Sequence, residues 1–279
     1  MADNSKSAIR ITTVLPSIFY SRLFSPLRER MRNLLLPLNN RSRMKKRVLI
    51  ILFFLFFLIY LISIACNREV VSYVAKPMLT ILLAIYFLNN TKQVARIFRI
   101  LMSAALFFSC TGDVFLLFED KGEAFFLAGI GSFLFTHLAY IGFFLKIRYS
   151  NYPLPGCQWP FIFLTAAALL LFIFTMLPYL GNMSIPVVIY AIFISLTLLT
   201  SMHAFRLKEQ TMGWFAVTGA ILFIASDTLI AIDHFYHAVP AGDFLVALTY
   251  GLAQWGLCTG GLKYLQIRQE YGTRSMRTN

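Results

Sequence analysis

Charge is what this chain has least of. Only 13% of its 279 residues are Asp, Glu, Lys or Arg, about half the share usual in a soluble domain. Acids are the scarcer sign, 12 against 25 Lys and Arg. So little charge leaves no room for a separate soluble domain. Cysteine is also sparse. Cys66, Cys110, Cys157 and Cys258 have no paired spacing, and Cys110 and Cys258 fall inside apolar runs. That pattern excludes a disulfide framework and predicts free thiols. There is no Gly-Lys-Ser/Thr loop, no Cys-x-x-Cys and no Gly-x-Ser-x-Gly elbow. Their absence sets aside nucleotide-driven transport and ordinary serine-hydrolase chemistry.

What fills the chain instead is hydrocarbon. Hydrophobic residues make up 58%, in recurrent runs near the 20 residues needed to cross ~30 Å of lipid. The expected fold is all-α, a polytopic membrane bundle of eight spans at roughly 48–65, 74–89, 97–118, 124–145, 160–178, 184–206, 213–233 and 244–265. Pro153, Pro155, Gly156 and Pro160 mark the connection before the fifth span. The net charge of +13 is unevenly placed. With the amino terminus inside, 22 Lys and Arg fall on the inner side and two, Arg68 and Lys121, in outer loops. Such a bias predicts both termini in the cytoplasm. It reads as membrane orientation rather than a nucleic-acid surface, so no nucleic-acid partner is expected. The chain therefore divides into a basic tail at 1–47, a transmembrane domain at 48–266 and a short basic cytoplasmic tail at 267–279. The stretch "SAIRITTVLPSIFYSRLF" in the first tail reads as a membrane-surface segment, a disordered basic arm beside anionic lipid, or a mitochondrial presequence.

Ionisable groups inside spans are few: Lys76, Asp113, His137 and Asp227. Such groups usually face the bundle interior or a wet cavity. Tyr140, Tyr190, Ser226, Tyr250 and Gln254 are neutral polar neighbours. At ~1.5 Å per residue, Asp113 and Asp227 both lie about 8–9 Å below the outer surface. Tyr190, Tyr250 and the shallower Lys76 fall on the same side, so one cavity lined by all five is the expectation. His137 falls about 21 Å deep, a tier lower. Two acids at one depth suit acid–base chemistry through an oxocarbenium-like transition state, and proton-coupled transport equally well. The plainer alternative is that each Asp hydrogen-bonds a neighbouring helix. "DHFYHAVPAGD" at 233–243 offers possible metal ligands, but a solvated interfacial loop accounts for it more simply. His203 reads as a polar residue at a span's inner edge, and "GIGSF" as close helix packing.

"SCTGDVFLLF", "FFLAGIGSFLFTHLAYI" and "GAILFIASDTLIAI" resemble the lysoplasmalogenase (YhhN-like) family. "AKPMLTILLA" and "LTYGLAQWGL" resemble its second and last spans, and the likeness covers roughly residues 60 to 266. The resemblance implies an eight-helix hydrolase that cleaves the vinyl ether of lysoplasmalogens to a fatty aldehyde and glycerophosphoethanolamine or glycerophosphocholine. It implies no metal and no organic cofactor, and a lysophospholipid and the bilayer as partners. It matches the family's paired acids to Asp113 and Asp227, and its other polar positions to Lys76, His137, Tyr140, Tyr190, Ser226, Tyr250 and Gln254.

The residues fit that chemistry on their own terms. A vinyl ether hydrolyses by protonation of its β-carbon, and water then adds to the oxocarbenium ion. One acid is needed to deliver the proton and one anion to stabilise the cation. Asp113 and Asp227 are candidates for both roles, with His137 as a third catalytic candidate that positions water or tunes an acid. Lys76 suits a lipid phosphate. Tyr190 and Tyr250 suit hydroxyl contacts or an ammonium head group. The rival reading is a proton-coupled transporter or lipid-binding membrane protein using the same acids. It would be favoured by helices broken at midplane, for which Pro186 is the only hint. The expected location is the endoplasmic reticulum or another endomembrane, with plasma or mitochondrial membranes as alternatives.

Overall fold

Each apolar segment read from the sequence matches one helix of the computed structural model, which describes residues 46–278, although the third, fifth and sixth helices end earlier than read, at Leu116, Met176 and Ala204. The surface-segment reading at 7–24, with nearly all of the first basic tail, lies outside the described residues. The helices are α1 (Lys46–Ala65), α2 (Glu69–Asn90), α3 (Arg96–Leu116), α4 (Glu123–Arg148), α5 (Trp159–Met176), α6 (Ser184–Ala204), α7 (Gly213–Phe235) and α8 (Gly242–Thr278). From Leu49 onward they form one unit. No strand occurs among the described residues.

Packing closes six of these helices into a ring. Contacts run from α2 to α3, α3 to α4, α4 to α6, α6 to α7, α7 to α8, and α8 back to α2. Two helices stand outside it. α1 lays Phe53 against the Trp255 ring of α8 at 5.2 Å. α5 packs on α6 and leaves Phe163, Leu164, Leu170, Leu171 and Phe174 exposed. Apolar surface of that extent is tolerable only against lipid. Seven helices, α1 to α7, are long and apolar enough to cross a membrane. The chain is thus a multi-pass helical membrane protein.

α8 is the helix that hydropathy under-reads. From Gly251 to Leu262 all but Leu252 and Trp255 are buried by other helices. A helix enclosed by protein rather than lipid has no need to be apolar all round, so this buried stretch carries Gln254, Thr259 and four glycines. Gly256 and Gly260 bring it close to α7, while Gly251 accommodates Phe57 of α1 and Gly261 accommodates Phe143 of α4. A Cβ on Gly256 would lie 2.7 Å from the Phe215 carbonyl oxygen and 2.9 Å from the Gly219 Cα. Small residues at such a seam let two backbones touch, the usual means of helix association in lipid. α8 also does not stop near residue 265. It continues to Thr278, so the segment read as a carboxy-terminal tail is a helical extension.

No described helix is broken at midplane. Pro186 sits in the first turn of α6, where a proline costs no hydrogen bond. Pro77 lies within α2 and removes one backbone bond directly after Lys76, without ending the helix.

Candidate active site

Each ring helix sends polar side chains inward: Lys76 from α2, Asp113 from α3, His137 and Tyr140 from α4, Tyr190 from α6, Asp227 from α7, and Tyr250 and Gln254 from α8. They form two chains of hydrogen bonds, one ending on each carboxylate.

The first chain ends on Asp113, which is fully buried. Lys76 Nζ lies 3.7 Å from its Oδ1, an ion pair longer than a hydrogen bond. Tyr250 donates its hydroxyl to Oδ2 at 2.8 Å. Gln254 Nε2 donates to the Tyr250 oxygen at 3.2 Å and to Ser109 Oγ at 2.9 Å, while Tyr140 donates to Gln254 Oε1 at 2.7 Å. Ser109 in turn donates to Thr136 Oγ1 at 3.3 Å. Both side-chain amide hydrogens of Gln254 are used: the branch from Tyr140 through Gln254 and Tyr250 donates toward Asp113, and the branch through Ser109 and Thr136 ends on the Ser132 carbonyl. Aligned chains of this kind polarise one another. Gln254→Leu would strip partners from three buried hydroxyls. It should lower stability by about 1–3 kcal/mol, visible as a lower thermal midpoint in detergent.

The second chain ends on Asp227. Tyr190 donates to Asp227 Oδ2, His137 Nε2 meets the Tyr190 oxygen at 3.1 Å, and His137 Nδ1 meets Thr197 Oγ1 at 3.2 Å. Counted along the helix, His137 belongs to a deeper tier than Asp227. The length of the tyrosine side chain spans the difference. α4 serves both chains, since His137 turns to Tyr190 while Tyr140, three residues on, turns to Gln254.

Aromatic rings fill the space between the chains. Phe133, Phe223 and Tyr250 meet edge to face with centroids 5.6–6.1 Å apart, and His137 lies 4.8 Å from Phe223. Gly112 makes this possible, because a Cβ there would fall 2.8 Å from the Phe133 ring. The Gly-Asp pair in "CTGDV" thus sets a close ring approach beside a carboxylate. The two chains share no hydrogen bond and meet through these rings, since Tyr250 of the first and His137 of the second both pack on Phe223.

The expected single cavity is not what the structure contains. Asp227 and Tyr190 are the ionisable side chains on the wall of an apolar chamber of about 700 Å³ between α4, α5, α6 and α7. Lys76 lines a separate polar chamber of about 300 Å³ where the ends of α1, α2, α3, α7 and α8 meet. Asp113 and Tyr250 line neither chamber. The aromatic rings and the full burial of Asp113 explain the division. Ser226 is buried, lines neither chamber and donates to the Val246 carbonyl at 3.4 Å, tying α7 to α8.

Other polar positions serve the scaffold. Asp233 Oδ1 accepts the Val239 amide at 2.7 Å, and His234 stacks on Phe126 with centroids 4.1 Å apart. Among the described residues no group of three or more His, Cys, Asp or Glu is placed to hold a metal. His203 Nε2 accepts the Gln158 amide at 3.0 Å and its Nδ1 meets the Leu199 carbonyl at 2.7 Å, pinning the start of α5 to the end of α6.

Known proteins carry related sequences. Over 194 residues the chain is 29% identical to "Lysoplasmalogenase TMEM86A" of Bos taurus, covering 66% of this chain and 72% of that one. It is 35% identical over 133 residues to "Lysoplasmalogenase" of Mycobacterium tuberculosis (strain CDC 1551 / Oshkosh), covering 47% and 48%. It is 31% identical over 164 residues to "Lysoplasmalogenase TMEM86B" of Rattus norvegicus, covering 58% and 62%. The chain thus spans about half the length of the mycobacterial relative and most of the bovine one. No solved structure gives a significant match. The sequence profile of the YhhN family matches residues 71–261, an interval that holds both carboxylates, both hydrogen-bond chains and all six ring helices up to the core of α8, and the chain therefore belongs to the YhhN family.

Proposed function

We propose that this protein is an integral membrane lysoplasmalogenase. It hydrolyses the vinyl ether of a lysoplasmalogen to a fatty aldehyde and glycerophosphoethanolamine or glycerophosphocholine. The names of its relatives support the substrate class. The observation that carries the chemistry is a carboxylate, Asp227, on the wall of an apolar chamber, with a second carboxylate, paired with a lysine, behind the layer of aromatic rings. At about 700 Å³ the chamber is in the range of small-molecule sites, about 300–1,000 Å³, and its lining suits a single alkenyl chain.

The two environments divide the labour. Asp227 faces the chamber and is the acid that protonates the β-carbon. Asp113 lies behind the wall, held as an anion by Lys76 and the Tyr250 hydroxyl. Its negative field favours the oxocarbenium ion that forms nearby. Water then adds to that ion and returns a proton to Asp227, and the hemiacetal collapses to aldehyde and alcohol. One water is consumed and the enzyme is regenerated.

A proton inventory of the second chain supports this role. When Asp227 is ionised, Tyr190 donates to it, His137 Nε2–H donates to Tyr190, and Thr197 donates to His137 Nδ1. When Asp227 carries the proton, each bond reverses, and Thr197 turns to the Phe193 carbonyl, 3.1 Å away. The histidine is neutral in both states, and no group is left without a partner. Tyr190→Phe breaks the chain next to the carboxylate. A hydrogen bond to a charged group is worth about 1.5–3 kcal/mol, so kcat should fall by about 10–100-fold with little change in KM. Aldehyde release from a lysoplasmalogen in detergent is the measurement.

In this reading all eight helices cross the bilayer, with both termini on the positively charged, cytoplasmic side. The polar chamber then opens outward. An endomembrane location such as the endoplasmic reticulum accords with a lysophospholipid substrate. The test of the whole reading is aldehyde release by the purified chain. Absence of release, with proton-linked flux in vesicles, would replace it with transport.

A further inference from the structure

One hydroxyl beside the chamber's acid has no structural task. The wall that α7 gives to the apolar chamber includes Val217, Ile221, Ile224, Thr228, Ala231 and Phe235. Their spacing alternates between four and three residues, which lays them along one helix face. Thr228 is the polar member of that stripe, and it follows Asp227 directly. A threonine in a membrane helix commonly turns its hydroxyl onto its own preceding turn. Both threonines of α5 on the same chamber do so, Thr165 to the Phe161 carbonyl at 2.8 Å and Thr175 to the Leu171 carbonyl at 2.9 Å. Thr228 makes no hydrogen bond among the described residues.

The acid also has a free side. Asp227 Oδ2 takes the Tyr190 hydroxyl, and Oδ1 accepts no hydrogen bond among the described residues. Ser195 of α6 is the other chamber hydroxyl without a partner among them. It sits five residues beyond Tyr190, more than a helical turn from that contact, whereas Thr228 adjoins the acid itself. A water in a cavity stays only where it finds about two to four polar partners. Asp227 and Thr228 supply two acceptors at one point of a largely hydrocarbon wall.

We propose that Thr228, together with Asp227, holds the water that attacks the oxocarbenium ion. This rests on the hydrolase reaction proposed above. Once Asp227 has given its proton to the β-carbon, its carboxylate accepts one hydrogen of the water. The Thr228 oxygen accepts the other. A lone pair of the water then faces the cationic carbon. The carbon–oxygen bond forms there, and the proton shared with Asp227 passes to the carboxylate. A neutral hemiacetal results, with the acid restored. The arrangement also selects the nucleophile. Water has a hydrogen for each acceptor. An alcohol has only one, so it leaves Thr228 unpaired.

Competition between nucleophiles tests this. The purified full chain in detergent is given a lysoplasmalogen with a fixed, low concentration of methanol. Capture of the ion by water gives aldehyde, and capture by methanol gives a stable mixed acetal. Both are counted by mass spectrometry. Thr228→Val keeps the shape of the side chain and removes the acceptor. It should raise the acetal-to-aldehyde ratio by about three- to tenfold, the range of one lost neutral hydrogen bond, with little change in KM. Thr228→Ala, which adds no bulk, is measured beside it and should follow valine. Thr228→Ser keeps the hydroxyl and should partition within about twofold of wild type. A threonine that only supports the fold would alter total turnover and leave the ratio fixed. Wild-type partition in both the valine and alanine variants overturns the proposal, as does a serine variant that partitions like valine. A wild type that forms neither product removes the hydrolase reading and this proposal with it. An active wild type whose ratio no variant moves removes the water site alone.

Discussion

Asp227→Asn and Asp113→Asn should each lower aldehyde release from a lysoplasmalogen by about 10²–10⁴-fold, the usual worth of a positioned acid or base. The two losses have different origins. Asn at 227 keeps the shape of the chamber wall and the Tyr190 contact but has no proton to give. Asn at 113 keeps the Tyr250 contact but leaves Lys76 without its counter-ion. An unpaired charge in a buried site is costly, so this variant should also unfold at lower temperature. Pairing Asp113→Asn with Lys76→Met separates the effects. The double variant should regain thermal stability and stay inactive. Undiminished release in both single variants would sink the mechanism, and release restored in the double variant would remove Asp113 from it. The assay needs only detergent-purified protein whose elution profile matches wild type.

Gly256→Val should be among the most damaging single changes outside the polar residues. The new Cβ meets the Phe215 carbonyl oxygen and the Gly219 Cα, both backbone atoms, at under 3 Å. A flexible side chain would yield; a helix backbone has to move. Overpacking usually costs about 1–3 kcal/mol, and contact with backbone places this case at the upper end or beyond. The same displacement shifts Tyr250 and Gln254 on α8 from their places in the chain that ends on Asp113, so activity should fall with stability. Gly131→Val is the internal control, because a Cβ there meets nothing within 4 Å. A melting point for Gly256→Val equal to that of Gly131→Val would contradict the close seam.

Helices were legible in the sequence because lipid demands apolar runs of fixed length. Asp113, Asp227, Lys76 and His137 were legible because lipid excludes charge, so each exception announces itself. Grouping them was harder. Counting residues from a span's end gives the depth of a Cα, not of a functional atom, and Tyr190 reaches across a tier that counting kept apart from His137. Counting says nothing of direction around the helix, so Asp113 and Asp227 came out on one cavity when a wall of aromatic rings divides them. Ser109, Thr136 and Thr197 gave no signal. A hydroxyl in a membrane helix commonly bonds its own preceding turn, and Thr136 and Thr197 do so with Ser132 and Phe193 while also reaching a neighbouring helix. Ser226 was the converse, a polar residue beside an acid that turned out to tie two helices together.

The closed ring has a consequence for the order in which the protein is made. α8 is synthesised after the other seven helices, yet it supplies Tyr250 and Gln254 and completes the circuit from α7 back to α2. Until it inserts, Asp113 lacks its tyrosine and the ring has an open side. A nascent chain stalled after α7 therefore holds both acids but no finished site. The polar network is in this way incomplete during synthesis and closes only when α8 packs against α7 and α2.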